Sequence, residues 1–186
     1  FMAAGGYTDA DSLGSADTAR VVTWKDQSGN GRDVTNAVEG YQPLLVSSGT
    51  LQTENGKVAL DFDSDLLKHS DASSYAQPNT YVAVVQSDAT TGSDYFIDGD
   101  GANNDRNILG HTSNYKKIWA DDWTSSSGDA SDTDQNLWFA VVNGASTLLH
   151  INGGSDVGAG DPGDYPQSGL TIGGRHNGGY AWDGKV

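Results

Sequence analysis

The sequence predicts an all-β protein, and more specifically a two-sheet antiparallel sandwich or jelly roll. Apolar residues alternate in short runs, and no helix of normal length is indicated. Of the 25 acidic residues only Glu39 and Glu54 are glutamates, so the acid that favours helix interiors is nearly absent. The chain also has 25 Gly, and turn-forming residues separate all of the apolar runs, as in sandwiches and jelly rolls.

About eleven short strands are expected from period-2 alternation. The predicted strands are Arg20–Trp24, Gln42–Val46, Val58–Phe62, Thr80–Gln86, Asp94–Ile97, Asn107–Gly110, Tyr115–Ala120, Leu137–Asn143, Thr147–Ile151, Leu170–Gly173 and Tyr180–Val186. The clearest hairpin is formed by the predicted strands Leu137–Asn143 and Thr147–Ile151. Asn143-Gly144, at the turn between them, supplies the positive φ angles that a tight turn needs. The Ser/Gly/Asp-rich stretches 87–94, 124–135 and 153–168 are predicted surface connections.

The length of 186 residues predicts one domain, residues 1–186, with one sizeable core. Residues 1–17 show no regular pattern and are expected to be an irregular N-terminal segment. Because Phe1 is not an initiator and Val186 stops inside an apparent strand, we expect a piece of a longer protein. Neighbouring domains of that longer chain are then expected partners.

The net charge of −15 argues against nucleic acid or an anionic membrane as a partner. No apolar stretch approaches the length needed to span a bilayer, so membrane insertion is not expected. The chain has no Cys, which excludes disulfides, thiolate zinc sites and Cys nucleophiles.

Four segments, taken in order, resemble one family. Residues 24–33 read W-K-D-Q-S-G-N-G-R-D and resemble the W-x-D-x-S-G-N-G-x-D segment of bacterial and phage laminin-G-like domains, which have the concanavalin A-like lectin/glucanase fold. Three later segments are similar to the motifs that follow in that family, namely G-Y-Q-P at 40–43, N-G-K-V-A-L-D-F-D at 55–63, and L-T-I-G-G with W-D-G-K-V within 170–186. In such domains a final strand follows, so the resemblance implies that one is missing after 186.

The resemblance covers about residues 18 to 186 and implies the sandwich fold more strongly than any one function, because this fold carries lectins, enzymes, adhesins and phage tail proteins. The Asp-rich loops most resemble copies in marine phage and in large bacterial surface proteins. The resemblance therefore implies an extracellular, cell-surface or virion location.

The densest group of oxygen ligands is the first candidate for a Ca²⁺ site. Asp98 and Asp100 stand at alternate positions, with Asn103 or Asp105 to complete the group, as at the start of an EF-hand loop. The Glu expected at the twelfth position is replaced by Leu109, so this is not an EF-hand. The alternative is an acidic hairpin tip without metal.

Asp26 and Asp33 are the second choice for Ca²⁺ ligands. They flank the turn formers of the 24–33 segment. The alternative is a rigid loop in which both carboxylates accept bonds from backbone N–H groups.

Two loops carry the residue types of a glycan site, since sugar rings stack on Trp or Tyr while carboxylates and amides bind hydroxyls. In the first loop Trp123 stands beside Asp121 and Asp122, with Trp119 as a second aromatic whose alternative place is the core. The second loop contains the residues Arg175, His176, Asn177 and Tyr180. The alternative for this second loop is a plain hairpin turn at Asn177-Gly178.

Hydrolysis of glycans is the third choice of function. The segments 26–33 and 173–174 are distantly similar to the sandwich domain of fungal arabinofuranosidases. Arg175, however, stands where that family has an acidic residue, and no Glu lies near residues 111–120. We therefore expect a non-catalytic carbohydrate- or receptor-binding module of an extracellular adhesin or phage tail/fibre protein, whose partner is a glycan or cell-surface receptor. The alternative is a structural virion or surface-scaffold domain without a glycan ligand.

Overall fold

A computed structural model describes residues 2–3, 15–101, 105–112, 114–122, 130–154 and 160–186, and it confirms an all-β protein. The strands in chain order are β1 Met2–Ala3, β2 Ala19–Trp24, β3 Val34–Thr35, β4 Leu44–Ser47, β5 Thr50–Leu51, β6 Thr53–Glu54, β7 Lys57–Val58, β8 Asp61–Asp63, β9 Leu67–Tyr75, β10 Asn79–Ser87, β11 Ser93–Asp98, β12 Ile108–Thr112, β13 Tyr115–Trp119, β14 Gln135–Val142, β15 Leu148–Ile151, β16 Gln167–Ile172 and β17 Asp183–Lys185. Within the described ranges the only helix is a 3₁₀ turn at Glu39–Tyr41.

One long antiparallel path of hydrogen-bonded strands forms the body of the molecule. Its order is β13-β12-β11-β16-β9-β3-β2-β4-β8-β17-β10-β14-β15, with β1 beside β2 and β5 beside β4. Strands β6 and β7 form a separate hairpin. The path turns at β2, because Thr23 and Trp24 pair with β3 whereas Ala19 and Arg20 pair with β4. We call the strands from β13 to β3 the first arm and those from β4 to β15 the second arm.

Side chains of the two arms meet in one core. The Phe96 ring of the first arm lies edge-on to Trp138 of the second arm, with ring centroids 4.9 Å apart, and at 5.3 Å from Trp182. Trp138 and Trp182 are each only 2% exposed. The largest other fully buried side chains are Phe62, Leu67, Leu109, Ile118, Leu149, Val21, Val46 and Val142. The short apolar runs of the sequence therefore supply a shared core, as their alternation predicts.

The predicted hairpin between β14 and β15 is confirmed. Trp138 faces Ile151 and Val141 faces Leu148 in the antiparallel ladder. In the turn, the amide of Ser146 donates to the Asn143 carbonyl at 2.9 Å, and Gly144 has φ +50°. Only the Gly of the Asn-Gly pair has positive φ.

Strand β9 is the main element that the apolar pattern does not predict. It runs over nine residues, Leu67–Tyr75; only the first residue is buried, and residues 72–74 are exposed. Its sequence L-K-H-S-D-A-S-S-Y has one apolar residue that is fully buried, Leu67. The strand forms because it pairs with β16, from Gln167 opposite Tyr75 to Ile172 opposite Leu67. This pairing stabilises a strand whose own sequence is only weakly hydrophobic.

Gly173 is the point at which the Gly-Gly segment passes over the core. Its φ is +92°, and a Cβ atom added there would overlap the Phe62 ring and lie 2.6 Å from the Asp65 carbonyl oxygen. Only glycine fits this close approach of backbone to an aromatic side chain.

Candidate functional site

The 24–33 loop is held rigid by its own carboxylates. Asp26 accepts hydrogen bonds from the Ser28 amide at 2.7 Å, the Ser28 hydroxyl at 2.8 Å and the Arg32 amide at 3.0 Å. The Ser28 hydroxyl and these amides lower the pKa of Asp26 to about 2. Asp33 accepts from the Asp26 amide at 2.8 Å and from Lys25 Nζ at 2.5 Å. The loop therefore has a fixed shape, and it presents Arg32 to its neighbours.

Arg32 borders an open cleft with a volume of about 320 Å³, which we call the β9 cleft. One loop and three strands, β9, β10 and β16, supply its walls. The lining residues are Arg32, His69, Asp71, Tyr75, Asn79, Thr80, Tyr81, Gln167, Gly169 and Leu170. Most of these side chains are polar or aromatic.

Three side chains of the β9 cleft are linked to one another. Arg32 Nη2 donates to the Tyr75 hydroxyl at 2.7 Å, and that hydroxyl donates to Asp71 Oδ2 at 2.6 Å. The Arg32 guanidinium carbon lies 4.7 Å from the centroid of the Tyr75 ring, and Nε is 3.9 Å from Asp71 Oδ2. Because the Tyr75 hydroxyl and the Ser73 amide donate to it, the pKa of Asp71 falls to about 2. Asp71 is thus a fixed negative charge next to a fixed positive one.

The inner wall of the cleft is also ordered by hydrogen bonds. The Tyr81 hydroxyl and Asn79 Nδ2 both donate to Asn107 Oδ1 at 3.1 Å. Burial raises the pKa of Tyr81, which keeps its hydroxyl a donor at neutral pH. His69 Nδ1 lies 3.1 Å from the Asp33 carbonyl oxygen, and because a carbonyl only accepts, that nitrogen carries the proton.

The chemistry of the β9 cleft suits binding of a polar, neutral ligand. It offers a guanidinium, a carboxylate, amides and hydroxyls around two Tyr rings, which are the groups that hydrogen-bond hydroxyls and cover C–H faces. Asp71 is the only carboxylate among the described residues that line it. A pair of carboxylates, as glycoside hydrolysis requires, is therefore not assembled there by the described residues.

Asp98, the first of the predicted metal ligands, lies in a buried ion pair. It is 0% exposed, and Arg106 donates to its two oxygens through Nε and Nη2, each at 2.8 Å. The Gly99 amide donates at 2.7 Å and the His176 amide at 2.9 Å. All of these are protein donors, so the Asp98 oxygens are already occupied.

The other predicted ligands are only partly brought together. Asp100 forms an ion pair with Lys68. The backbone carbonyl of Asp105 accepts from the Ser168 amide at 2.9 Å, and Asn103 lies outside the described residues. Among the residues that the structure does describe, no group of three or more His, Asp or Glu side chains has the arrangement of a metal site. Calcium binding stays a prediction of the sequence.

The structure joins the predicted 175–180 glycan loop to Asp98. His176 Nδ1 is 3.3 Å from Asp98 Oδ2, in addition to the amide contact. The Arg175 guanidinium lies 5.6 Å from the Tyr180 ring centroid, and Tyr180 lies 5.1 Å from the Tyr95 ring. Tyr180 is 50% exposed, so it is available to a ligand.

The turn of this loop also follows the alternative prediction. The Gly178 amide donates to the Arg175 carbonyl at 2.7 Å, and Gly178 has φ +84°. Asn177 is exposed, and its Oδ1 accepts from the Gly179 amide at 3.2 Å. A hairpin turn and a half-exposed Tyr platform are therefore present in the same loop.

The other predicted glycan loop is described only in part. Trp123 lies outside the described residues, while Asp121 and Asp122 are exposed. Trp119 is half-buried; the Arg106 guanidinium lies 5.4 Å from its ring centroid, and Tyr165 packs edge-on against it. Trp119 thus packs against the Asp98–Arg106 ion pair.

Sequence reasoning did not find the β9 cleft. His69, Asp71 and Tyr75 stand two and four positions apart in a strand that has few apolar residues. A polar set with period 2 was the available signal, because such residues share one face of a strand.

Comparisons of the chain with protein-family models, with curated proteins and with solved structures give no match. In the described part of the chain, no helix has the length and apolar character needed to cross a bilayer.

Proposed function

We propose that the chain is a non-catalytic carbohydrate- or receptor-binding module of an extracellular adhesin or phage tail/fibre protein. The observation that carries this proposal is the linked Arg32–Tyr75–Asp71 group in an open cleft. Its donors and acceptors are fixed before a ligand arrives, which lowers the entropy cost of binding. The proposed location is extracellular, on a cell surface or on a virion, in line with the resemblance to laminin-G-like domains.

The proposed fold is a two-sheet jelly roll of the concanavalin A-like type. Two observations support it. Strand β2 pairs at its two ends with different arms, and Phe96 of the first arm packs on Trp138 of the second. A pairing path that turns at one strand and packs its arms face to face is the arrangement of a sandwich.

The proposed ligand is a neutral glycan. Its hydroxyls exchange hydrogen bonds with Arg32, Asp71 and the amides of the cleft, and a C–H face lies against a Tyr ring. Arg32 and Asp71 offset each other's charge, so the cleft selects neither a strongly anionic nor a strongly cationic ligand. A single shallow site of this kind binds at millimolar to micromolar dissociation constants, about −4 to −8 kcal/mol.

The absence of catalysis is proposed on two grounds. A general acid for glycoside hydrolysis needs a raised pKa, whereas hydrogen bonds lower the pKa of Asp71. Arg175 stands where the distantly similar arabinofuranosidases have an acid. Sustained release of reducing sugar from arabinan, xylan or laminarin by the pure protein would contradict this part of the proposal.

Binding is tested on a glycan array, followed by titration calorimetry with the strongest ligand. Tyr75→Phe removes the hydroxyl that links Arg32 to Asp71, and we expect affinity to fall about tenfold, or about 1.4 kcal/mol. Ser74→Ala on the same strand is the matched control, because Ser74 is exposed and does not line the cleft. No glycan binding by the unmodified chain contradicts the glycan proposal.

Tyr180→Ala locates the site. If this variant loses binding while Tyr75→Phe binds as the unmodified chain does, the ligand lies on the 175–180 loop that the sequence predicted. If only Tyr75→Phe loses affinity, the ligand lies in the β9 cleft.

A structural scaffold domain is the second candidate, and one observation favours it. The outward face of β10, β14 and β15 carries a patch of exposed apolar side chains in which Val82 faces Phe139, Val84 faces Leu137, and Leu148 faces Val141. The exposed fractions are 65% for Val82, 49% for Val84, 43% for Leu137, 40% for Leu148 and 38% for Phe139. Contiguous apolar patches of this kind mark contacts with other proteins. This candidate gains support if cleft variants and array experiments show no glycan binding.

A further inference from the structure

Three buried polar atoms without a hydrogen-bond partner among the described residues belong to side chains that line one small, partly open cavity. They are His111 Nδ1, Ser131 Oγ and Trp182 Nε1. His111 and Trp182 are each 2% exposed, and their rings lie edge-on with centroids 5.7 Å apart. An unsatisfied buried donor or acceptor costs about 1–3 kcal/mol, so three around one cavity require an explanation.

The size of the cavity limits what can occupy it. The space open to the centre of a water-sized sphere is about 10 Å³, which is the room that a single water requires. Its lining includes the apolar side chains of Val85 and Trp138 and the charged side chains of Lys116 and Asp132. Lys116 Nζ is already paired with Asp132 Oδ2 at 2.5 Å.

The hydrogen-bond roles around the cavity are mixed. His111 Nε2 lies 3.3 Å from both Asp94 Oδ2 and Ser87 Oγ. A carboxylate accepts, and the Ser87 hydroxyl already donates to the Ala89 carbonyl at 2.7 Å, so the proton of the neutral imidazole sits on Nε2. His111 Nδ1 is then an acceptor, whereas the Trp182 indole N–H is a donor only.

This mixture excludes a bare ion. A cation cannot be held by the Trp182 N–H, and an anion cannot be held by the Nδ1 lone pair that His111 has as a neutral imidazole. The occupant has to donate and accept at once, and it has to be the size of one water.

We propose that one internal water molecule is bound at this cavity. It donates to His111 Nδ1, accepts from Trp182 Nε1–H and shares its third hydrogen bond with Ser131 Oγ. The water joins β12, the residue before β17 and the segment that precedes β14, three parts of the chain that no direct side-chain bond connects at this point in the described residues. Lys116, Ser131, Asp132 and Asn136 also line an open surface cleft of about 360 Å³, which gives the water its path of exchange.

The test is NMR on the whole chain, with oxygen-17 relaxation dispersion to count long-lived internal waters. In the unmodified chain we expect a cross-peak between water and the indole Hε1 of Trp182, with NOE and ROE of opposite sign. The indole signal is assigned by its loss in the Trp182→Phe variant. Ser131→Val fills the space and removes one partner, so it should remove the cross-peak and lower the count of long-lived waters by about one. Ser74→Val, on the exposed part of β9, should change neither.

A crystal structure of the unmodified chain gives a second measurement that does not depend on the variants. We expect solvent density within about 2.7–3.2 Å of the three atoms. An empty cavity, a cross-peak that survives in Ser131→Val, or a direct bond from the Trp182 N–H to a protein acceptor overturns the proposal.

Discussion

Arg106 donates to both carboxylate oxygens of Asp98, through Nε and Nη2 at 2.8 Å each, and the carboxylate is fully buried. The pair joins the end of β11 to the segment that leads into β12, and the His176 amide connects it to the 175–180 loop. A carboxylate buried in this way stabilises the packing of these segments and fixes the position of the 175–180 loop.

Asp98→Asn is expected to destabilise the protein strongly. It removes the charge opposite a buried guanidinium, and breaking one partner of a buried pair costs about 3–5 kcal/mol. Urea unfolding gives the free energy of unfolding. Asp134→Asn, at an exposed aspartate, is the control and should change it by no more than about 0.5 kcal/mol. A small loss in Asp98→Asn would show that Arg106 finds another partner.

Asp65 should make stability depend on pH in the direction opposite to most acids. Burial raises its pKa from 3.8 to about 6, although Arg20 Nη1 is 3.7 Å from Oδ1. Its protonated form is favoured in the folded state, so its contribution is fully present below pH 3.8 and is lost as the pH rises through about 6. The difference between these two pKa values of Asp65 corresponds to about 3 kcal/mol in the free energy of unfolding.

Asp65→Asn removes this titration. We expect a gain in the free energy of unfolding at pH 7.5 that is absent at pH 3.5, and Asn can still accept from the Asp63 amide that now donates to Asp65 Oδ2. Urea titrations at both pH values measure the gain. An equal effect at the two pH values contradicts the raised pKa.

Gly173→Ala and Gly178→Ala separate steric overlap from backbone strain. Both glycines have positive φ, at +92° and +84°, so both variants carry the conformational cost. Only at Gly173 does the new Cβ meet the Phe62 ring, while at Gly178 the nearest atom is a Leu66 methyl at 4.0 Å. Gly173→Ala should lose about 1–3 kcal/mol more than Gly178→Ala in thermal or urea unfolding. Equal losses would mean that Phe62 moves aside at little cost.

The predicted calcium site is tested by thermal unfolding at fixed high NaCl with either EDTA or Ca²⁺. An ion that binds only the folded chain stabilises it by about 2.7 kcal/mol at a hundredfold excess over its dissociation constant. Asp105→Asn is the variant that should erase the rise in melting temperature, because Asp98→Asn also breaks the Arg106 pair. Identical melting curves with EDTA and Ca²⁺ contradict the prediction.

The sequence predicted most of the strands that bury apolar side chains on one face, since alternation there is a direct record of burial. The β14–β15 hairpin is the clearest case, with Trp138, Ala140 and Val142 buried at every second position. Strand β9 could not be predicted in this way, because its pairing with β16 depends on residues about a hundred positions away in the chain.

The candidate site was predicted less well, for a related reason. The number of oxygen-bearing residues near Asp98 in the sequence does not reveal that Arg106 and the His176 amide donate to the Asp98 carboxylate. These donors come from other segments of the chain. The turn at Asn177-Gly178 and the exposure of Tyr180 depend mainly on local sequence, and both could be anticipated.

The position of β17 between β8 and β10 has a consequence for synthesis of the chain. Until residues 183–185 have left the ribosome, β8 and β10 each lack a neighbour and expose unpaired backbone groups to other nascent chains. Pairings this distant along the chain also make folding slow, on the order of milliseconds to seconds. The abundance of aspartate then has a further use, because like charges keep unfinished chains apart until β17 is available for pairing.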